Sequence, residues 1–402
     1  MTEHVNRMQT DGAEHTLHSA QNDAGGSLLT SAPVPALLDA CLTALWDHGG
    51  TDLIITAGAP PLLRIDGEIH PMEGRQTLTS AVTSSVIREL LGPELTAVFE
   101  RNKQADFAFS WRDQARLRGN AFMQKGTAAL ALRMLTLQIP TMDQLNLPAT
   151  VQGWTDLPRG LVLVTGPTGS GKSTTLASML DHINTHQARH IVTIEDPIEY
   201  FHFHKRGAVN QREVGPDTNS FADGLRAVLR EDPDVLLIGE MRDPESIQAA
   251  LTIAETGHLV FATLHTNDTA QTFDRIVDVF PAERQPQIRL QLAHTLAGVL
   301  HQLLIPRVDG GRVAAFDVLN ATQAVRNLVR EGKTRQIRNI VATGQREGMQ
   351  TLEMSLSELV VVGVIGYGEA LEHSLYPDEV VAPAAAEPAL DGGAAAAPPA
   401  RG

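Results

Sequence analysis

The chain has 402 residues, room for two to three domains at about 150 residues each. Its 32 Lys and Arg stand against 47 Asp and Glu, a formal charge of −15, so no overall basic footprint exists for direct nucleic-acid binding. The one cysteine, Cys41, excludes an internal disulfide and a CxxC zinc site, and this usage fits a reducing cytoplasm.

In chain order, residues 1–32 are polar, His-rich and aperiodic, which predicts a disordered tail with no basic-then-apolar leader. Segment 33–136 predicts a small α+β domain. Its first helix carries the stripe Leu37, Leu38, Cys41, Leu42, Leu45 and Trp46, in which the thiol is a packing group. Strand-like residues 52–56 and 62–67 flank the turn Ala59-Pro60-Pro61; a second helix covers about 80–99, and β-like runs follow at 105–111, 116–123 and 127–135. Segment 137–159, with Pro140, Pro148 and Pro158, reads as a linker. From 160 to 376 strands alternate with helices. The apolar runs 161–164, 190–194, 235–238 and 259–264 suit a parallel sheet covered on both faces, a doubly wound α/β core. From about Ala282 the pattern is mostly helical, broken by a strand at 313–319, and Ala324–Lys333 forms an amphipathic helix stopped at Gly332. The apolar run 359–365 is too short to span a bilayer, so membrane association would pass through partners. Residues 377–402 are Ala/Pro/Gly-rich and predict a flexible tail.

The chemistry centres on Gly166-Pro167-Thr168-Gly169-Ser170-Gly171-Lys172-Ser173-Thr174. An apolar strand precedes it and a helix follows, the setting that makes G-x-x-x-x-G-K-[ST] a phosphate-binding loop. Its backbone N–H groups and the positive helix end hold phosphates, Lys172 adds a charge, and the Ser173 hydroxyl can ligate Mg²⁺. ATP with Mg²⁺ is therefore the expected ligand. Ligands of an open α/β sheet lie beyond the carboxyl ends of its strands. Glu240 follows the strand 235–238 and is expected to activate water. Glu195-Asp196-Pro197-Ile198-Glu199 follows another strand and is expected to help hold Mg²⁺. His265 also follows a strand and suits sensing of the γ-phosphate, whereas His258 precedes that strand. His202 and His204 have the spacing of metal ligands but no further partner nearby. Arg116, Arg118 and Arg133 lie on adjoining strands of the first domain, either as solvated residues or as arginine fingers.

These residues resemble the motifs of secretion ATPases, the motors of type II secretion, type IV pili and DNA uptake. Gly166–Ser173 is similar to their Walker A, 193–200 to the Asp box, 229–243 to Walker B, and 255–266 to the His box. Ala324–Glu331 resembles the signature helix of the pilus-retraction branch, and Glu347-Gly348-Met349-Gln350-Thr351 fits that branch as well. The resemblance spans about 37–367. It implies a PAS-like N-terminal domain, a RecA-like ATPase core and a homohexameric ring. It also implies a cytoplasmic place beneath the membrane, an inner-membrane platform protein as partner, and a second retraction ATPase as a further candidate partner. By resemblance, Glu199 matches the Asp-box glutamate, Glu240 the catalytic one, and His258 and His265 the His box. Arg118 and Arg133 match the first-domain cations brought to nucleotide on domain closure. Ile54 stands where the family often has His. The implied function is ATP-driven pilus retraction; substitution of Arg326 and Asn327 should then stop motility and spare ATPase activity. The chain lacks the four-cysteine motif and the long extra N-terminal domain of assembly ATPases, which argues against pilus extension. Protein secretion, DNA uptake and a nucleotide-gated scaffold without turnover remain as alternatives.

Overall fold

The structure, a computed structural model, describes residues 34–382 except 66, 113, 137 and 267. The expected tail at 1–32 and the part of the second tail beyond 382 lie outside the described residues. The chain divides into two compact units.

The first unit holds the described residues up to Gln138 together with Asp196–His202 and Gln211–Gly224. Its elements are α1 (Ala36–Asp47), β1 (Asp52–Ile55), β2 (Leu62–Ile65), β3 (Glu68–Pro71), α2 (Ser80–Asn102), β4 (Gln104–Trp111), β5 (Ala115–Gln124) and β6 (Thr127–Thr136). They build a six-stranded antiparallel sheet in the order β3-β2-β1-β6-β5-β4. The expected α1 stripe is the packed face: Leu38, Cys41, Leu42 and Leu45 are buried, and each such aliphatic side chain contributes about 1.5–3 kcal/mol. The α2 helix is capped by the Thr79 hydroxyl and kinked at Gly92, before Pro93, whose ring cannot sit in a regular turn. The short strand β3 is exposed along its length and had no apolar alternation to announce it.

The second unit holds 139–195, 203–210 and the described residues from Leu225 onward. Its elements are α3 (Ala149–Gly153), β7 (Gly160–Thr165), α4 (Lys172–His186), β8 (His190–Glu195), residues 208–210 of the edge strand β9 (Ala208–Glu213), residues 225–228 of α5 (Phe221–Val228), β10 (Val235–Ile238), α6 (Pro244–Glu255) and β11 (Leu259–Leu264). There follow α7 (Thr269–Asp278), α8 (Gln285–Thr295), β12 (Leu296–Pro306), β13 (Arg312–Asn320), α9 (Gln323–Glu331), α10 (Ile337–Thr343), α11 (Leu352–Val361) and α12 (Tyr367–His373). The seven-stranded sheet runs β13-β12-β7-β11-β10-β8-β9. Strands β12, β7, β11, β10 and β8 are parallel, and β13 returns antiparallel. Every residue of β7, β10 and β11 is buried, which explains their unbroken apolar runs.

The structure corrects four expectations. Segment 139–159 is no linker: Met142, Leu147, Val151 and Trp154 are buried in the second unit's core, and Pro148 precedes α3. Leu296–Pro306 is a strand where a helix was expected; its apolar run is too uniform to show a period. The segments Asp196–His202 and Gln211–Gly224 group with the first unit instead of the 160–376 domain. The packed chain also continues past 377: Pro377–Glu379 forms a turn, Val380 is buried, and the Val381 N–H donates to Ser357 Oγ at 2.9 Å.

Candidate active site

The phosphate loop leaves the buried end of β7 at Thr165. Gly166 (φ +138°), Gly169 (φ +80°) and Gly171 (φ +87°) take backbone conformations that favour glycine. Gly171 caps α4 and, being a glycine, supplies no side-chain cap to its first turn. The first N–H groups of a helix point along its axis, and that positive end favours an anion. The buried Ser170 Oγ has no hydrogen-bond partner among the described residues. Lys172 Nζ donates to the loop's own carbonyls, Gly166 O at 2.8 Å and Pro167 O at 2.9 Å. Pro167, Thr168 and Gly169 are exposed, and Ser173 and Thr174 sit half-buried in the first turn of α4. A glycine-capped helix start with a lysine and a hydroxyl in its first turn fits a nucleotide phosphate with its metal ion.

The neighbouring strands bring their ends to the same rim, because β11 is parallel to β7 and β10 is parallel to β11. Glu240 follows β10 and is half-buried. Arg242 Nε and His265 Nε2, the latter at 3.4 Å, both approach its Oε1. Burial raises the Glu240 pKa, but the Arg242 hydrogen bond and the His265 charge outweigh it and hold the carboxyl below its ordinary range. A cavity of about 300 Å³ opens beside Glu240, lined also by Arg242, Leu264, His265 and Arg275. The backbone under Glu240 is fixed by Thr263 Oγ1, which donates to Gly239 O. Gly239 is pressed against the next strand: a Cβ there would lie 3.2 Å from Glu195 Cα. Glu195 itself is buried at the end of β8 and accepts from Thr193 Oγ1 at 2.6 Å. The second unit therefore gathers Lys172, Glu195, Glu240 and His265 on one rim.

Other expected site residues are placed differently. His258 stands at the amino end of β11, where its carbonyl accepts from the Gly160 N–H at the start of β7. The loop follows the far end of β7; a six-residue strand at about 3.3 Å per residue separates the two rims by about 20 Å. Within this chain His258 does not join the catalytic group. Its Nδ1 lies 3.0 Å from Ile253 O and 3.1 Å from Thr256 Oγ1, so it finishes α6. Glu199 is exposed on a segment grouped with the first unit. Arg118 donates to Glu213 Oε1 at 3.1 Å, and Glu213 Oε2 also accepts from the Ile198 N–H. Arg133 is bound to Asp52 at 2.9 Å, directly across from it in the β1–β6 register. Arg116 lies over the Phe201 ring at 5.2 Å, and burial, opposed by Glu213, lowers its pKa. Among the described residues no three His, Cys, Asp or Glu side chains cluster as metal ligands, and His204 Nδ1 accepts from the Val209 N–H.

The signature helix is also more structural than its pattern suggested. Thr322 caps α9, Val325 and Val329 are buried, and Gly332 ends it at φ +68°. Arg326 Nη1 donates to Ala293 O at 2.7 Å and His294 O at 3.0 Å, and its Nε donates to Ala321 O at 3.0 Å. It closes the C-terminal end of α8, where unpaired carbonyls favour a cation. Asn327 accepts from Gln323 and Arg330 on the helix's own surface.

Comparison with known proteins agrees with this geometry. Residues 114–368 match the profile of the family described as Type II/IV secretion system protein. A "Type IV pilus retractation ATPase PilT" of Pseudomonas aeruginosa is 47% identical over 336 residues, covering 82% of this chain and 96% of the relative. A "Twitching motility protein" of Neisseria gonorrhoeae is 46% identical over 76% of this chain and 82% of its own length. Among solved structures, the "Pilus Retraction Motor PilT and Bound ADP" matches with TM-score 0.79 and 45% identity, covering 85% of this chain and 98% of that one. From the loop, the carboxylate rim and these matches together, the chain belongs to the Type II/IV secretion system protein family and is an ATPase of it.

Proposed function

We propose that the protein is the motor of type IV pilus retraction, converting ATP hydrolysis into removal of pilin subunits through an inner-membrane platform protein. The observation that carries this reading is the shared rim of Lys172, Glu240 and His265 in a chain whose relatives are named for retraction and twitching motility. Lys172 and the loop N–H groups hold the phosphates. Glu240 orients a water and takes its proton, and His265 stays beside Glu240 to report the γ-phosphate. Mg²⁺ held at Ser173, with Glu195 and Glu199 on its waters, would neutralise charge on the phosphates. Arg118 and Arg133 serve as cations for the transition state, a role that requires them to leave Glu213 and Asp52. The working form is a homohexamer on the inner face of the membrane. No helix among the described residues is long and apolar enough to cross a bilayer, which supports attachment through partners. The test is deletion of the gene followed by imaging of pili, with a Lys172→Ala strain alongside. Abundant pili that never retract in both strains support the motor; absent pili assign the chain to assembly instead.

A further inference from the structure

We propose that Gln302 is a positioning residue of the nucleotide reaction, holding the phosphate loop in its anion-binding form from behind. The inference rests on the reading of Gly166–Ser173 as the nucleotide site. Strand β12 lies beside β7 in parallel, with His301 opposite Thr165, so Gln302 falls level with the first glycine of the loop. Gln302 is 3% exposed and uses both ends of its amide. Nε2 donates to Ser170 O at 2.7 Å, and Oε1 accepts from Thr175 Oγ1 at 2.8 Å. The orientation of the amide is unambiguous, because a backbone carbonyl can only accept. One side chain thus ties the middle of the loop to the first turn of α4.

The fit extends to the glycines. A Cβ on Gly166 would lie 2.3 Å from Gln302 O, and one on Gly171 would lie 2.8 Å from Gln302 Nε2. The loop backbone is therefore seated directly against this residue, and the space for any side chain there is taken.

The consequence for phosphate binding follows from the planar trans peptide. The C=O and N–H of the Ser170–Gly171 peptide point in opposite directions. Fixing the Ser170 carbonyl toward β12 turns the Gly171 N–H away from β12, where it can serve an anion. Without the Gln302 donor, that peptide loses its buried partner and is free to rotate, and the donor ring must be assembled at the moment of binding. The effect is on preorganisation of the site, so affinity for the phosphates changes more than the chemical step.

The experiment compares the full chain with Gln302→Met and Gln302→Glu, by titration with MgADP and by steady-state phosphate release. Wild-type and Lys172→Ala proteins are titrated first; if wild type fails to bind MgADP, it is the nucleotide reading that falls. Gln302→Met should weaken MgADP and raise the KM for ATP about tenfold, about 1.4 kcal/mol, while kcat stays within about threefold. Gln302→Glu is nearly isosteric and tests the donor itself. Ionised, it sets a carboxylate oxygen against the Ser170 carbonyl; protonated, it donates as the amide does. Its MgADP affinity, taken as a ratio to wild type, should recover as pH falls from about 8.5 to about 5.5. That reading remains available if the Met variant does not fold. Wild-type affinity in Gln302→Met, or a ratio for Gln302→Glu that is flat with pH, overturns the proposal.

Discussion

His258 and His265 bracket a single strand, yet they inhabit different parts of the protein. His265 follows β11 and reaches Glu240 at 3.4 Å. His258 precedes it and closes α6 through Ile253 O and Thr256 Oγ1. The sheet is the cause. In a parallel sheet every strand delivers its carboxyl end to the same rim, so a residue's place before or after a strand decides whether it meets the ligand. Shared membership of a short motif carries no such guarantee.

Substitutions can break or sharpen this contrast. Of the two histidines, His265 should matter more to turnover: His265→Ala should lower it by about 10²-fold, the usual cost of removing one donor aimed at transition-state charge. Phosphate release at saturating MgATP measures it. Arg326→Ala should act on the fold. Loss of its bonds to the α8 carbonyls should cost about 1.5–3 kcal/mol in denaturant unfolding, the range for charged hydrogen bonds. Loss of motility in that variant would then follow from lost stability, and Ala324, exposed on the same helix, is the cleaner probe of a docking face.

Asp317 supplies a pH-dependent prediction. It is buried on β13, accepts from Thr269 Oγ1 at 2.9 Å, and its Oδ1 has no hydrogen-bond partner among the described residues. Burial pushes its carboxyl up to about 7. The folded protein holds a proton that the unfolded chain releases near 3.8, so this group's contribution is lost as pH rises from about 4 to about 7. Asp317→Asn should flatten that part of the stability profile. The neighbouring strand carries the opposite case: burial lowers His301 to about 4, so its contribution is lost as pH falls from 6.5 toward 4. The smallest effect belongs to His258→Ala, about 0.5–1.5 kcal/mol of stability with turnover nearly unchanged, as expected for one neutral hydrogen bond at a helix end.

Much of the molecule was legible in the sequence because its signals were local. The strand-loop-helix order around Lys172, the buried runs of β7, β10 and β11, and the stripe on α1 each depend on neighbours within a few residues. The placement of Glu240 and His265 on one rim followed from their position after strands. What stayed hidden depended on distant partners. The seats of Arg118 on Glu213 and Arg133 on Asp52 need the pairing of segments 95 and 81 residues apart. Arg326 looked like a surface cation because its acceptors are backbone carbonyls, which leave no mark in a side-chain pattern. Gln302 lay in a run read as helix, and its one clue was a polar pair, His301-Gln302, inside an otherwise apolar stretch. Asp243 and Asp268, by contrast, are ordinary helix caps that a local rule identifies.

The most direct test of the carboxyl-rim site is Glu240→Gln, with MgATP binding and phosphate release measured on the same preparation. Binding should persist at wild-type strength while turnover falls about 10²–10⁴-fold, the range for loss of a positioned base. Unchanged turnover would remove Glu240 from the chemistry and contradict the assignment of that rim as the active site.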